Sequence, residues 1–326
     1  MDNLTHSLTG AILGQCGLKK KTGLAMPALI IGANIPDIDA SCLLWLDGVE
    51  HLAVRRGITH GPPAMLLLPL VLAGILYGWD KWQARSGFLG LGKRPEARLP
   101  VSFKWLYLLS LIGCLSHPAL DWMNVYGIRL LEPFSSRWFY GDVLFIVDVW
   151  IWLVLGLATW FSLRREKRGG EWMRPARIAL SITLAYIGVN AGITWAAETR
   201  SAGEGPYHRI NIASPVPLAF WQRDMITGNG DGHWLVNGSR LGDFDLTNAD
   251  KPDIAAAVPQ AAPFLFWSRT PFVQVDGDGR YMLRDARYAS PMGGDRFAVE
   301  LPAEICEPQD PPAQLPPTQL GEPAGR

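Results

Sequence analysis

Residues 103 to 121 read FKWLYLLSLIGCLSHPALD, an apolar run of helical length that ends in a histidine and an aspartate four residues apart, His117 and Asp121. A bilayer core of about 30 Å takes about 20 mostly apolar residues in a helix. The run therefore reads as a membrane span. Its two polar side chains share one helical face near one end of that span.

Three further segments have the same character: 62 to 79, 143 to 163 and 178 to 197. A fifth, 24 to 46, carries PDID in its middle. Pro36 removes a backbone donor and disfavours helix at Ile35, so a broken span is expected there. Residues 5 to 17 are apolar but too short to cross alone. The expected fold is an all-α polytopic membrane helix bundle over residues 1–197, with about five spans or broken spans after a short N-terminal helix. Lysine and arginine set its orientation. The connection 80 to 104 holds Lys81, Arg85, Lys93, Arg94, Arg98 and Lys104. The connection 164 to 177 holds Arg164, Arg165, Lys167, Arg168, Arg174 and Arg177, and Lys19 to Lys21 add three more. These are assigned to the cytoplasm. The connections 47 to 61 and 122 to 142 hold only two each, and alternation puts the region after Ala197 outside.

The average composition hides this asymmetry: 48% of the 326 residues are hydrophobic, 18% are charged, and the net charge is zero. A zero balance gives no reason to expect nucleic acid. Residues 198–305 are polar and rich in Gly and Pro. Strand-like stretches at His233 to Val236, Pro263 to Trp267, Phe272 to Val275, Arg280 to Tyr288 and Phe297 to Leu301 predict a small β-rich extracytoplasmic domain. Residues 306–326 form a Pro-rich tail with almost no large apolar residues, expected to be disordered. The four cysteines lack the pairing of a disulfide framework or a zinc ribbon. The N-terminus, MDNLTHSLTG, has no basic region ahead of its apolar stretch and is not read as a removable signal peptide.

Ionisable side chains at membrane depth are costly, which makes each one a functional candidate. Asp37 and Asp39 lie 13 and 15 residues past Leu24, or about 20 Å along a helix, and His117 and Asp121 lie at a similar depth past Trp105. His60 precedes the span that starts near Pro62. Imidazole and carboxylate are ligands of zinc, manganese and related divalent ions, and aspartate needs a cation partner at this depth. The candidate metal ligands are His6, Asp37, Asp39, His60, His117, Asp121 and Asp142. Alternatives stand beside several of them. His6 is equally a first-turn histidine after an N-cap at Asn3 or Thr5, and His60 equally a local hydrogen-bonding group. Asp142 is either a ligand or the N-cap of the next span; Asp148 is either a ligand or the partner of Arg129 or Arg137. His208 and His233 lack ligand neighbours and read as ordinary polar residues, and the many tryptophans read as interface anchors.

The set THSLTG, IPDID, RRGITHGP, HPALDWMNVYG and GDVLFIVD resembles the YdjM-like family, described as LexA-regulated, membrane-bound predicted metal-dependent hydrolases. The resemblance is dense over about residues 1 to 160. It implies a bacterial inner-membrane protein and a hydrolase, and it implies no substrate. The order His, Asp, His, HxxxD is also similar to that of zinc-dependent phospholipase C and the related single-strand-specific nucleases. Those enzymes add a further His and an HxxxE, whereas here no histidine follows His117 until His208. One or two metal ions are therefore expected, not three.

These readings lead to a metal-dependent hydrolase with a divalent ion, zinc or manganese, acting on a phosphoester or ester of a lipid or lipid-linked substrate at the outer leaflet. His6, His60, His117, Asp37 and Asp121 would ligate the ion. Asp39 would be a further ligand or the general base, with Asp37 the other candidate catalytic carboxylate. Arg55 and Arg56 would hold an anionic head group. The rival reading is a non-enzymatic membrane protein that binds or transports metal.

Overall fold

The computed structural model describes residues 1–85, 94–201, 209–247, 250–289 and 297–306. The tail from 307 onward and His208 lie outside the described residues. The N-terminal region is helical: α1 (Asn3–Gln15), α2 (Ala25–Gly32), α3 (Pro62–Arg85), α4 (Phe103–Trp122), α5 (Val149–Lys167) and α6 (Met173–Ser201). α4 packs against α2 and α3, α1 lies between α2 and α5, and α5 pairs with α6. Among the described residues two helices, α3 and α6, are long and apolar enough to cross a membrane. α2 and the 3-10 segment Ile35–Leu44 pass the same test as one broken unit bent by 52°. Pro36 sits at the first turn of that second piece, where its missing donor costs least. α4 and α5, at 20 and 19 residues, are long enough but less apolar. Lys104, His117 and Asp121 interrupt the first, and Arg164, Arg165 and Lys167 close the second.

Two helix boundaries differ from the sequence reading. The span expected from 143 begins as a helix only at Val149, because Asp148 is its N-cap and accepts from the amides of Trp150 and Ile151. The N-cap of α1 is Asp2, not Asn3 or Thr5; its carboxylate accepts from Leu4 N and Thr5 N at 3.0 Å each. Only 28% of the apolar window of α3 and 22% of that of α6 is buried inside the protein, and Leu66, Leu67, Leu70, Val71 and Ile75 face outward. Apolar surface on that scale suits a lipid solvent.

Glycine allows α2 and α4 to cross closely. A Cβ on Gly113 would meet the Leu29 carbonyl oxygen at 2.5 Å, and one on Gly32 the Ser110 carbonyl oxygen at 2.7 Å. Small residues at such crossings let backbones touch, which matters where no hydrophobic effect drives helices together.

After α6 the chain forms two small antiparallel sheets. The first is a meander of β1 (Ile210–Pro215), β2 (Arg223–Gly228), β3 (Trp234–Val236) and β4 (Ser239–Leu241), with Ile212 opposite Ile226 and Ile226 opposite Val236. α7 (Asp250–Ala257) and α8 (Ala261–Trp267) separate it from β5 (Pro271–Val275), β6 (Tyr281–Asp285) and β7 (Val299–Leu301), which form the second sheet; α9 (Ala303–Cys306) ends the described chain. Residues 263 to 267, expected as a strand, belong to α8. Their apolar run lacks alternation, and Phe264 and Trp267, three apart, are the pair that is fully buried. β1, β2, β4 and α7 had no expectation. One core cluster crosses position 197, since Val49, Leu52, Val125 and Tyr126 pack with Phe264, Trp267, Val273 and Leu283.

Candidate metal centre

His117 and Asp121 occupy the last two turns of α4, one helical turn apart, and both are fully buried. The α2–α4 crossing brings the end of α2 against them, so that Ala33 O lies 2.7 Å from His117 Nδ1. A carbonyl can only accept, so Nδ1 carries the proton and Nε2 presents a lone pair inward. His60, from the short turn before α3, turns its Nε2 to within 3.2 Å of His117 Nε2. The same nitrogen is 3.7 Å from Asp121 Oδ2 and 3.9 Å from Asp37 Oδ1. His117 Nε2 is 3.3 Å from Asp121 Oδ2 and 3.8 Å from Asp37 Oδ1. One ligand atom from each of Asp37, His60, His117 and Asp121 thus lies within 4.8 Å of the others, and all four residues are buried.

These donors fit a divalent cation. Two imidazole nitrogens and two carboxylate oxygens suit zinc or manganese. The orphaned atoms around them point the same way. His6 stacks on His117 with ring centroids 3.8 Å apart, is fully buried, and neither of its ring nitrogens makes a hydrogen bond. Its Nε2 is 3.4 Å from Asp121 Oδ1, against which the Met1 α-amino group also sits. Buried polar atoms without partners are rare in folded proteins, and a cation here would satisfy the lone-pair nitrogen of His6 and Asp121 Oδ2, which also lacks a hydrogen bond.

The remaining sequence candidates surround this group in other roles. Asp39 Oδ2 accepts from Arg56 N at 2.7 Å and from the Thr59 hydroxyl at 3.1 Å, and lies 3.5 Å from His60 Nδ1. Asp39 therefore sits behind His60, where a carboxylate orients a ligating imidazole, and outside the four converging donors. Arg55 spans both carboxylates of the 3-10 segment, at 2.9 Å to Asp37 Oδ1 and 3.3 Å to Asp39 Oδ1. Arg56 is buried and turned inward: Nε lies 3.0 Å from Asp121 Oδ2, and Nη1 donates to Asn124 Oδ1 and Gly127 O. Its backbone is left-handed at φ 54°, an uncommon conformation for a non-glycine residue. The contacts to Asp39, Asn124, Gly127 and Asp121 hold it there, as does Arg129 N, which donates to its carbonyl.

Asp142 does not join the group; its carboxylate is taken by Arg269, 127 residues away in sequence, so the ligand reading of this residue is corrected. Asp148 pairs with neither Arg129 nor Arg137: it caps α5 and accepts from the Tyr186 hydroxyl at 2.9 Å. His233 bonds to Asp245 and to the Gly242 carbonyl, far along the chain from the other histidines. The sequence reading missed Thr59, Asn124 and the Ala33 carbonyl. Thr59 and Asn124 each stand within three residues of a candidate ligand, whereas a backbone acceptor leaves no trace in composition.

A membrane-associated helical protein with a buried two-histidine, two-aspartate group is the class these features define. The chain belongs to the YdjM inner membrane protein family, whose model matches residues 1–196. It is 26% identical over 198 residues to the uncharacterized protein YfhP of Bacillus subtilis (strain 168), a match covering 58% of this chain and 52% of that protein. The chain thus spans about half the length of the curated relative it matches. No solved structure matches it.

Proposed function

We propose that Asp37, His60, His117 and Asp121, with His6 beside them, hold a divalent metal ion, and that the protein is a hydrolase of a phosphoester or ester in a lipid or lipid-linked substrate. The observation that carries the proposal is the convergence of the four donor atoms within 4.8 Å, with both His6 nitrogens left unpartnered next to them. An ion bound there would polarise a phosphate or ester oxygen and lower the pKa of a bound water. The chain's own groups divide the remaining work. Asp37 shares the donor group and its edge with Arg55, which makes it the better-placed proton acceptor. Arg55 is the guanidinium best placed to pair with an anionic oxygen of the substrate. Asp39 and Thr59 keep His60 oriented, and Arg56 offsets the charge of Asp121.

A lipid substrate is supported by the apolar side chains along the segments that carry these groups. Ile38 stands between the two aspartates, Ile58 two residues before His60, and Leu44 and Trp45 at the end of the 3-10 segment; all are exposed. In this reading the helices form a polytopic bundle with the group toward the outer leaflet, and the family's inner-membrane placement fits it. Transport is less well supported. Below His117, the buried face of α4 continues as Cys114, Gly113, Ser110, Leu109 and Leu106, which gives an ion one hydroxyl in three turns. The test is metal analysis of the purified protein with stoichiometry, followed by phospholipid turnover. Bound zinc or manganese that is lost in His117→Ala, together with turnover lost in Asp37→Asn, is the expected result. A folded, metal-free wild type would overturn the reading.

A further inference from the structure

We propose that the last two turns of α5 bind the phosphate headgroup of an anionic phospholipid, at the end of the helices opposite the metal centre. A cavity of about 520 Å³ opens there, lined by Trp160, Phe161, Arg164, Arg165, Arg168 and Gly170. The three arginines are exposed, and among the described residues none has a carboxylate partner. Arg165 gives one hydrogen bond, 3.3 Å, to the Glu171 carbonyl. The nearby carboxylates are engaged elsewhere: Glu166 with Lys19, and Glu171 with the amide of Met173. Arg164 and Arg165 rest over the rings of Trp160 and Phe161, at 5.3 and 5.2 Å, which steadies their guanidinium planes.

A helix C-terminus favours arginine through its dipole, and that alone would account for one or two of these residues. It does not account for what leads up to them. Leu153, Leu157, Trp160 and Arg164 follow at steps of four and three and share one face of α5, and Arg168, four residues on, is its C-cap. The first three are 52%, 63% and 57% exposed. An apolar stripe, then an aromatic ring, then paired guanidinium forks repeats the order of acyl chain, interface and phosphate in a lipid. The fork geometry favours bidentate contact with phosphate oxygens. Free phosphate would use the arginines and leave the stripe uncovered, so the lipid is the fitting occupant. Lys20, which lies over Trp172 beside this end, adds to the positive field.

The full chain would be reconstituted in nanodiscs with equal phosphatidylglycerol and phosphatidylcholine, and the lipids retained after mild delipidation counted by mass spectrometry. Wild type should retain phosphatidylglycerol selectively. Combined Arg164→Gln, Arg165→Gln and Arg168→Gln should lower that preference about tenfold or more, with the three Arg→Lys changes in between. Metal content should be unchanged, because the metal centre lies at the other end. If the glutamine variant fails to fold, the wild-type preference should still vanish in about 1 M salt. Equal retention of both lipids by wild type, an unchanged preference in the folded glutamine variant, or full displacement by millimolar inorganic phosphate would overturn the proposal.

Discussion

Arg287 Nη1 donates a 2.6 Å hydrogen bond to the Val125 carbonyl, 162 residues away, and so ties the second sheet to the strap that leaves α4. Trp267 repeats the tie one residue on, its indole donating to Tyr126 O at 2.9 Å. The Tyr126 ring in turn lies 4.5 Å from the Arg56 guanidinium, which faces Asp121. Residues beyond the family match thereby reach the candidate metal group through one aromatic ring. Tyr126→Leu should weaken metal binding by about tenfold, the worth of a buried cation–π contact, while Tyr126→Phe should bind like wild type. Competition against a chelator of known affinity measures both. Equal affinities in the leucine and phenylalanine variants would remove Tyr126 from this role.

The α2–α4 crossing sets the tautomer of His117 through the Ala33 carbonyl. Gly113→Ala puts a methyl 2.5 Å from the Leu29 carbonyl and 3.0 Å from Ala33 N, so the helices must part. The expected cost is about 1–3 kcal/mol, read as a lower Tm in detergent, with metal affinity falling alongside. Gly74→Ala, where nothing lies within 4 Å, is the matched control and should leave both unchanged.

Hydropathy alone locates α1 to α6 to within a few residues, and HPALD alone gives a face with two ligands, because both signals are local. IPDID and RRGITHGP yield candidates without roles. Asp37 and Asp39 look equivalent in sequence, yet one faces the donor group and the other backs His60, a difference made by Arg56 N and Thr59 from another segment. Asp142 reads as a ligand until Arg269 reaches it across 127 residues. The apolar run at 263 to 267 misled for a related reason. Its helix is decided by which residues meet the Val49 and Leu52 side chains, and no window of that length contains them.

Acid should loosen the C-terminal region. Asp285 is fully buried, and burial alone would raise its pKa; the bidentate Arg287 pair and the Ser268 and Thr270 hydroxyls outweigh that and hold it at about 2. An unfolded aspartate titrates near 3.9, so the pair contributes about 2–3 kcal/mol above pH ~4, lost as pH falls from there through about 2. Asp285→Asn should remove that acid-side dependence and destabilise the neutral protein. Fluorescence of the buried Trp234 and Trp267 against pH reads it, and identical acid profiles for the two proteins would count against the assignment.

The two aspartates of IPDID should separate on mutation. Asp37 contributes a donor oxygen to the group and pairs with Arg55. Asp37→Asn should therefore lose both tight metal binding and turnover. Asp39 acts on His60 from behind, and removing an orienting carboxylate costs about 10–100-fold in metal affinity without abolishing the site. Asp39→Asn should accordingly keep turnover when metal is supplied in excess, whereas Asp37→Asn should not recover. Thr59→Val, which removes the hydroxyl between Asp39 and His60, should follow Asp39→Asn in a milder form. Rescue of both aspartate variants by excess metal would mean that Asp37 supplies only affinity, and the proton acceptor would have to be sought elsewhere in the group.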